Sequence, residues 1–223
     1  MEPNREMIFA HLLNGMAKFD LALPDQIIER LVDYFIMVLS TTKSLNLISS
    51  KQDLSTQIMV HLLDSILPVN FFDFTDIKSL MDFGSGGGFP GIPLSLILTE
   101  TNCTLIESTK KKARFLEGVR DELSIPNVEI INTFLEPGKN QTGLKFDLIS
   151  ARAVSELKTL VDISGPRLKT GGFFLAFKGP KADLEISAAV QALKKYRMNL
   201  VKRFDFILPI VDSSRSLLLF QKA

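Results

Sequence analysis

Leu80-Met81-Asp82-Phe83-Gly84-Ser85-Gly86-Gly87-Gly88-Phe89-Pro90-Gly91-Ile92-Pro93 is the stretch of this 223-residue chain that decides its fold. A short apolar run, Ser79–Phe83, leads into the glycines, and a second apolar segment, Ile92–Leu98, follows them. The order predicts strand, tight loop and helix, which is where an open α/β sheet binds its ligand. Glycines let the backbone turn with φ > 0 and let a ligand approach main-chain atoms closely. A dinucleotide fingerprint, G-x-G-x-x-G, would place its third glycine at position 89. That position is Phe89, which disfavours NAD or FAD. The pattern present is acid-x-Gly-x-Gly-x-Gly, carried by Asp82, Gly84, Gly86 and Gly88.

Downstream of the loop, further strands are predicted at Cys103–Glu107, Val128–Asn132, Phe146–Ser150, Phe173–Lys178, Leu200–Leu208 and Leu217–Gln221. Helices fit between them at Lys110–Leu123, Glu156–Ile163 and Lys181–Tyr196. Strand–helix alternation with Val/Ile/Leu/Phe-rich strands implies a mostly parallel sheet covered on both faces. Pro209 to Ser214 leaves no room for a crossover helix, so the last two strands form an antiparallel hairpin. Upstream, Met7, Ile8, Leu12, Leu13 and Met16 fall at helical spacing, as do Ile27, Ile28, Leu31, Phe35, Val38 and Leu39. Asp25 after Pro24 marks a helix start, and Asp53 precedes a third helix through Ile58, Leu62 and Leu63. Pro68 and the Asn70–Thr75 stretch are expected to break it. Residues 1–70 are therefore expected as a helical extension and 71–223 as the α/β domain.

Composition narrows the function classes. The single cysteine, Cys103, rules out an intrachain disulfide framework and points to a reducing compartment. The longest uncharged run, Phe83 to Thr99, has 17 residues and is crowded by five glycines and two prolines, so it is not a membrane span. The start lacks a signal peptide's apolar core, and the reading is of a cytoplasmic protein. Net charge is +1, with 5 basic and 8 acidic side chains in residues 1–70 against 21 and 17 afterwards, so a polyanion would meet the later part. With two histidines and one cysteine, neither a zinc site nor a Ser/His/Asp triad is indicated, and no metal is expected.

The glycine pattern is similar to motif I of class I S-adenosylmethionine methyltransferases, whose Rossmann-like, doubly wound sheet usually ends in an antiparallel hairpin. This cofactor has an amino-acid moiety and no pyrophosphate, so its loop needs no phosphate cradle. Asp82 is then expected to accept hydrogen bonds from the ammonium group. Glu107, 23 residues beyond Gly84, stands close to the ~20-residue offset at which an acid meets ribose hydroxyls.

With Pro90 and Pro93 included, the loop reads GFPGIPL, and the chain resembles the RsmG (glucose-inhibited division protein B) family of bacterial 16S rRNA guanine-N7 methyltransferases. The resemblance also covers Asn46-Leu47, His61-Leu62-Leu63-Asp64-Ser65, Arg114-Phe115-Leu116, Ser150-Ala151-Arg152-Ala153 and Phe177-Lys178-Gly179. It implies cofactor contacts from Gly84, Phe89, Ile106, Glu107, Ser108, Leu135, Glu136 and Arg152, with 16S rRNA or the small ribosomal subunit as partner and a monomer as the working unit. Two positions depart from the family: Thr41-Thr42 replace its Trp-Asn, and Phe134 stands where it has an Arg.

Four positive charges in five residues, at Lys110, Lys111, Lys112 and Arg114, sit at a predicted helix N-terminus, where cations oppose the helix dipole by about 0.3–1 kcal/mol each. RNA phosphate binding explains them better than a structural role. Arg152 and Lys178, at or just past strand ends, face the expected ligand crevice and are the candidate catalytic residues. His61, beside Leu62 and Leu63, reads as a structural histidine, and Cys103 as a core residue. Two other functions fit the same residues: methyl transfer to a different acceptor, or a non-catalytic RNA-binding assembly factor. The intact loop and Glu107 argue against the last.

Overall fold

In the computed structural model, residues 4–140 and 143–223 are described. A seven-stranded sheet has the order β3-β2-β1-β4-β5-β7-β6, built from β1 (Ser79–Phe83), β2 (Asn102–Ile106), β3 (Val128–Ile131), β4 (Phe146–Arg152), β5 (Leu168–Lys178), β6 (Met198–Leu208) and β7 (Ser213–Lys222). The first five strands are parallel, and β7 pairs antiparallel with both β5 and β6. The strand order reverses between β1 and β4, which places a ligand crevice at their carboxyl ends. The expected hairpin is present, with its turn confined to residues 209–212. Polar Lys169-Thr170-Gly171-Gly172 hid the first half of β5 from sequence patterning, because ladder hydrogen bonds do not require apolar side chains.

Helices α1 (Arg5–Ala17) and α2 (Asp25–Leu45) share one sheet face with α6 (Gly91–Ile97) and α7 (Lys110–Glu122), while α8 (Leu157–Ser164) and α9 (Ala182–Lys195) cover the other. The core on the first face is continuous: Ile28, Leu31, Phe35 and Val38 of α2 join Ile92, Leu105 and Leu116 in one buried cluster. Asn46 ends α2 in the left-handed conformation, φ +50°. Thr42 Oγ1 then accepts the Ile48 N–H at 2.9 Å, so the Thr-Thr departure still closes this turn.

The third helical segment departs from expectation in two ways. Short helices α3 (Leu54–Gln57), α4 (Asp64–Ile66) and α5 (Pro68–Phe71) flank a π-helical turn, Ile58–Leu63. The break falls as expected within Asn70–Thr75, at Phe72, whereas Pro68 itself starts a new short helix after Leu67. Proline is tolerated at the first position of a helix, and Pro68 occupies that place in α5; extended backbone begins only at Phe72.

The π turn is where the extension meets the sheet. The Val60 and His61 carbonyls in this turn accept the Arg152 Nη1 group at 2.9 and 3.3 Å, beside Asp64 Oδ2 at 3.2 Å. Pressed into this joint, His61 has its pKa lowered to about 3, by burial first and then by Arg152 and Arg215. A group with a depressed pKa is neutral in the native state and binds its proton more readily when unfolded. His61 should therefore cost no stability above pH ~6.5, and a growing amount as pH falls towards 3, with a slope of up to ~1.4 kcal/mol per pH unit. Asp82, raised to about 6 by burial, titrates with the opposite sign, so a difference measurement is needed. Wild type should lose stability relative to His61→Phe between pH 6.5 and about 4 in denaturant titrations; parallel curves would sink this account.

Candidate active site

Each half of the crevice is positioned by backbone before side chains are considered. Gly84, Gly86 and Gly88 all have positive φ, +68°, +56° and +101°, a conformation that β-carbons disfavour. The Gly84 and Ser85 amides donate to Ile106 O at 2.8 and 3.2 Å, fastening the loop to the end of β2. Glu107 Oε2 accepts the Gly86 N–H at 2.8 Å and Oε1 accepts the Thr109 N–H at 2.7 Å. Each oxygen keeps a second lone pair, the chemistry a ribose diol needs. From the other side, Tyr34 Oη of α2 donates to Gly87 O at 2.7 Å.

A cleft of about 90 Å³ beside the loop is lined by Phe83, Gly84, Ile106, Ser108, Phe134, Leu135 and Val154. Its mostly apolar walls, between Glu107 and the glycines, suit an adenine ring. These features together fit the S-adenosylmethionine that the loop pattern implies: an apolar slot, a carboxylate at the β2 end and, at Gly86, backbone with no side chain packed on it. Val154 lies over Gly84, so that a β-carbon there would meet Val154 Cγ2 at 2.5 Å.

Several expected contacts are placed differently. Asp82 is fully buried beneath the loop, its Oδ1 accepting Ser150 Oγ at 2.8 Å, so its carboxylate is not open to an ammonium group. A β-carbon on Gly91 would sit 2.8 Å from Asp82 Oδ2, so the acid packs against the start of α6. Phe89 turns inward as well: its ring is 5.2 Å from Tyr34, 5.4 Å from His61 and 6.3 Å from Phe35, and the Arg152 guanidinium lies 5.2 Å from its centroid. Glu136 points out to Lys139.

A second cavity, about 320 Å³, opens at the ends of β4 and β5 and is lined by His61, Asp64, Arg152, Lys178, Glu185 and Arg215, among others. Its charges are mostly paired. Arg152 meets Asp64 at 3.2 Å, and Lys178 meets Glu185 at 2.7 Å while donating to Ser155 O at 2.9 Å. Arg152 and Lys178 thus form walls of this cavity and hold the loop after β4. Arg215, from the start of β7, donates to Ser213 Oγ and Ser214 O and makes no ion pair among the described residues. Sequence reading did not single out Arg215 or Glu185, because only the hairpin and α9 bring them here. Lys110, Lys111 and Arg114 are exposed and Lys112 is half-buried, at the start of α7; none pairs with a carboxylate among the described residues. No group of His, Cys, Asp and Glu among the described residues could hold a metal ion.

The comparisons with known proteins agree with this geometry. The family model described as rRNA small subunit methyltransferase G, GidB, matches residues 27–206. The chain is 34% identical over 215 residues to a ribosomal RNA small subunit methyltransferase G from Carboxydothermus hydrogenoformans, covering 96% of this chain and 91% of the relative. It is 32% identical over 192 residues to the same-named protein of Listeria welshimeri, covering 85% and 80%. Among solved structures, a SAM-dependent methyltransferase from Aquifex aeolicus aligns with a TM-score of 0.54 at 15% identity, over 74% of this chain and 92% of that one. An O-methyltransferase from Brevibacillus brevis, in complex with S-adenosyl-L-homocysteine, also aligns with a TM-score of 0.54, at 15% identity over 73% and 71%. At that identity the solved structures speak for the class I methyltransferase fold. The matched span runs from α2 through the glycine loop and both cavities to β6, and so the chain belongs to the rRNA small subunit methyltransferase G (GidB) family.

Proposed function

We propose that this protein transfers a methyl group from S-adenosylmethionine to N7 of one guanine in 16S rRNA, in the cytoplasm and as a monomer. The observation that carries the acceptor reading is the 320 Å³ cavity, which adjoins the glycine loop through Arg152 and Phe89. Its size is at the lower end for small-molecule sites and suits a single extruded base better than a duplex. With the Arg152–Asp64 and Lys178–Glu185 charges paired, Arg215 leaves the cavity a net cation, suited to a phosphate beside that base. The exposed lysines of α7 extend the positive surface from the cofactor side.

When bound, the cofactor supplies an electrophilic methyl group on a sulfonium. Guanine N7 carries an in-plane lone pair and no proton at neutral pH, so attack needs alignment and no general base. His61 is held neutral with a pKa of about 3, too weak a base to gain protons near neutrality, and the Asp64 and Glu185 carboxylates that share the cavity are engaged by Arg152 and Lys178. His11 lies elsewhere, in a cavity between α1 and the hairpin turn. Arg152 and Lys178 act here by fixing the cavity wall and the Ala153–Ser155 loop, so that stacking and phosphate contacts hold N7 in line. Proximity of this kind can supply several kcal/mol.

Three results are expected. S-adenosylmethionine should raise the melting temperature of the protein, as a ligand selective for the native state does, while NAD should not. Gly86→Val should remove that shift: a β-carbon at 86 meets nothing closer than Gly84 O at 3.8 Å, so the effect would report on loop conformation and ligand approach. Stabilisation by NAD in place of S-adenosylmethionine would refute the cofactor.

Neutralising Lys110, Lys111 and Lys112 should weaken rRNA binding and lower the slope of log K against log salt by up to about 2, at about 0.7 per single-strand phosphate contact. An unchanged slope would remove α7 from the RNA surface.

On unmodified small subunits, single-turnover rates should be flat between about pH 6.5 and 8, and borohydride with aniline should then cleave the product at the methylated guanine. A product resistant to that cleavage would leave methyl transfer standing and exclude N7.

A further inference from the structure

The glycine loop presents a mechanical problem. Gly86, Gly87 and Gly88 allow close approach of a ligand, but three successive glycines also leave the peptide planes between them nearly free to flip. A cofactor would then have to order the loop as it binds, and its affinity would fall by the population of competent loops. The Gly87–Gly88 plane has one tie inside the loop, its N–H donating to Ser85 O at 2.7 Å, and its carbonyl end needs a second from outside.

The β2 side fixes only part of the loop. Gly84 and Ser85 donate to Ile106 O, Gly86 donates to Glu107, and Gly88 donates back to Ser85 O at 2.7 Å. The Gly87 carbonyl points the other way, into the helical extension, and there it meets one side chain. Tyr34, fully buried on α2 and 53 residues away in sequence, donates its hydroxyl to that oxygen at 2.7 Å. The same hydroxyl would lie 2.8 Å from a β-carbon at 88, and Leu47 Cβ would lie 3.3 Å from one at 87, so the extension closes over the loop without a gap. The Tyr34 ring also packs on Phe89, 5.2 Å between centroids. Apart from this bond, the position asks for nothing that phenylalanine would not supply.

We infer that Tyr34 is a positioning residue for the cofactor: its hydroxyl adds to the Ser85 tie the second one, at the carbonyl end of the Gly87–Gly88 peptide, and so holds the glycine loop in its binding-competent form. The helical extension is then part of the cofactor site, although no side chain of it needs to touch the cofactor. The inference rests on the S-adenosylmethionine reading, and the test separates the two.

Tyr34→Phe removes one oxygen and keeps the ring. The dissociation constant of S-adenosylmethionine, by calorimetry, should rise about tenfold, the size expected when a buried carbonyl loses its donor. In assays on unmodified small subunits, KM for S-adenosylmethionine should rise in parallel while kcat at saturation stays within about twofold, the pattern of lost binding with intact chemistry. Amide exchange at residues 86–89 should quicken in the free variant. Tyr34→4-aminophenylalanine, which restores a donor at the same place, should bring the affinity back to within about threefold of wild type. If wild type itself does not bind S-adenosylmethionine, the cofactor reading fails. If wild type binds but Tyr34→Phe binds equally well, whatever its melting temperature, the hydroxyl serves only stability and the inference is overturned. Failure of the amino variant to recover, or a Tyr34→Phe chain that does not fold, overturns it equally.

Discussion

One half-buried guanidinium holds the working end of this molecule together. Arg152 leaves the carboxyl end of β4 and enters the helical extension, where two carbonyls, a carboxylate and the His61 ring surround it. A charge drawn partly out of water is favourable only when hydrogen bonds replace its hydration, as these partners do. The Val60 and His61 carbonyls that receive it belong to the π turn at Ile58–Leu63. Asp64 supplies the counter-charge although burial raises its pKa, an effect that Arg152 opposes. The joint therefore fixes three things together: the angle of the extension, the end of β4 and the ring of Phe89 beneath the guanidinium.

That arrangement explains why the two cavities are adjacent yet distinct in character. The cofactor cleft is set mainly by backbone: glycines at positive φ, amides on Ile106 O and a carboxylate bound to two N–H groups. The larger cavity is set by side chains: ion pairs at the ends of β4 and β5, and Arg215 of β7, which makes no ion pair among the described residues. A backbone-built site reads a cofactor that never varies. A site of paired charges with one surplus cation favours a polyanionic acceptor and excludes a free carboxylic or amine substrate only weakly, which leaves specificity to the wider RNA surface.

The parts that sequence reading recovered are the ones whose cause is local. β1 was placed at its observed ends because five apolar-flanked residues run straight into glycines, and Asp53 was recognised as a helix start because its side chain caps the Thr56 N–H. Glu107 was found from its offset alone, and it lies where the β2 end meets the loop. What stayed hidden depends on distant contacts. Nothing in the Asp64 neighbourhood signals a π turn, since the turn exists to serve an arginine 88 residues later. Asp82 and Phe89 were expected to face the ligand because motif position was taken as orientation. Alternation in β1 instead sends Asp82 under the loop, and the aromatic cage of Tyr34, Phe35 and His61 draws Phe89 inward. Arg215 reaches the cavity only because β7 returns antiparallel beside β5, placing Ser216 opposite Lys178.

The departures from the family pattern can be weighed on the same physical grounds. Thr42, where the resembled family has an asparagine, closes the turn after α2 by giving the Ile48 N–H a hydroxyl acceptor. Phe134 is a different matter. It is 69% exposed at the rim of the cofactor cleft, where a relative would present a cation. An exposed aromatic ring cannot bind phosphate, but it offers a face on which an unpaired base can stack, an interaction worth about 1–3 kcal/mol in single-strand recognition. A phosphate contact would have contributed through counterion release and so would weaken with salt, whereas stacking does not. If rRNA passes this rim, stacking on Phe134 would leave the salt-dependent share of its affinity to the lysines of α7 and to Arg215.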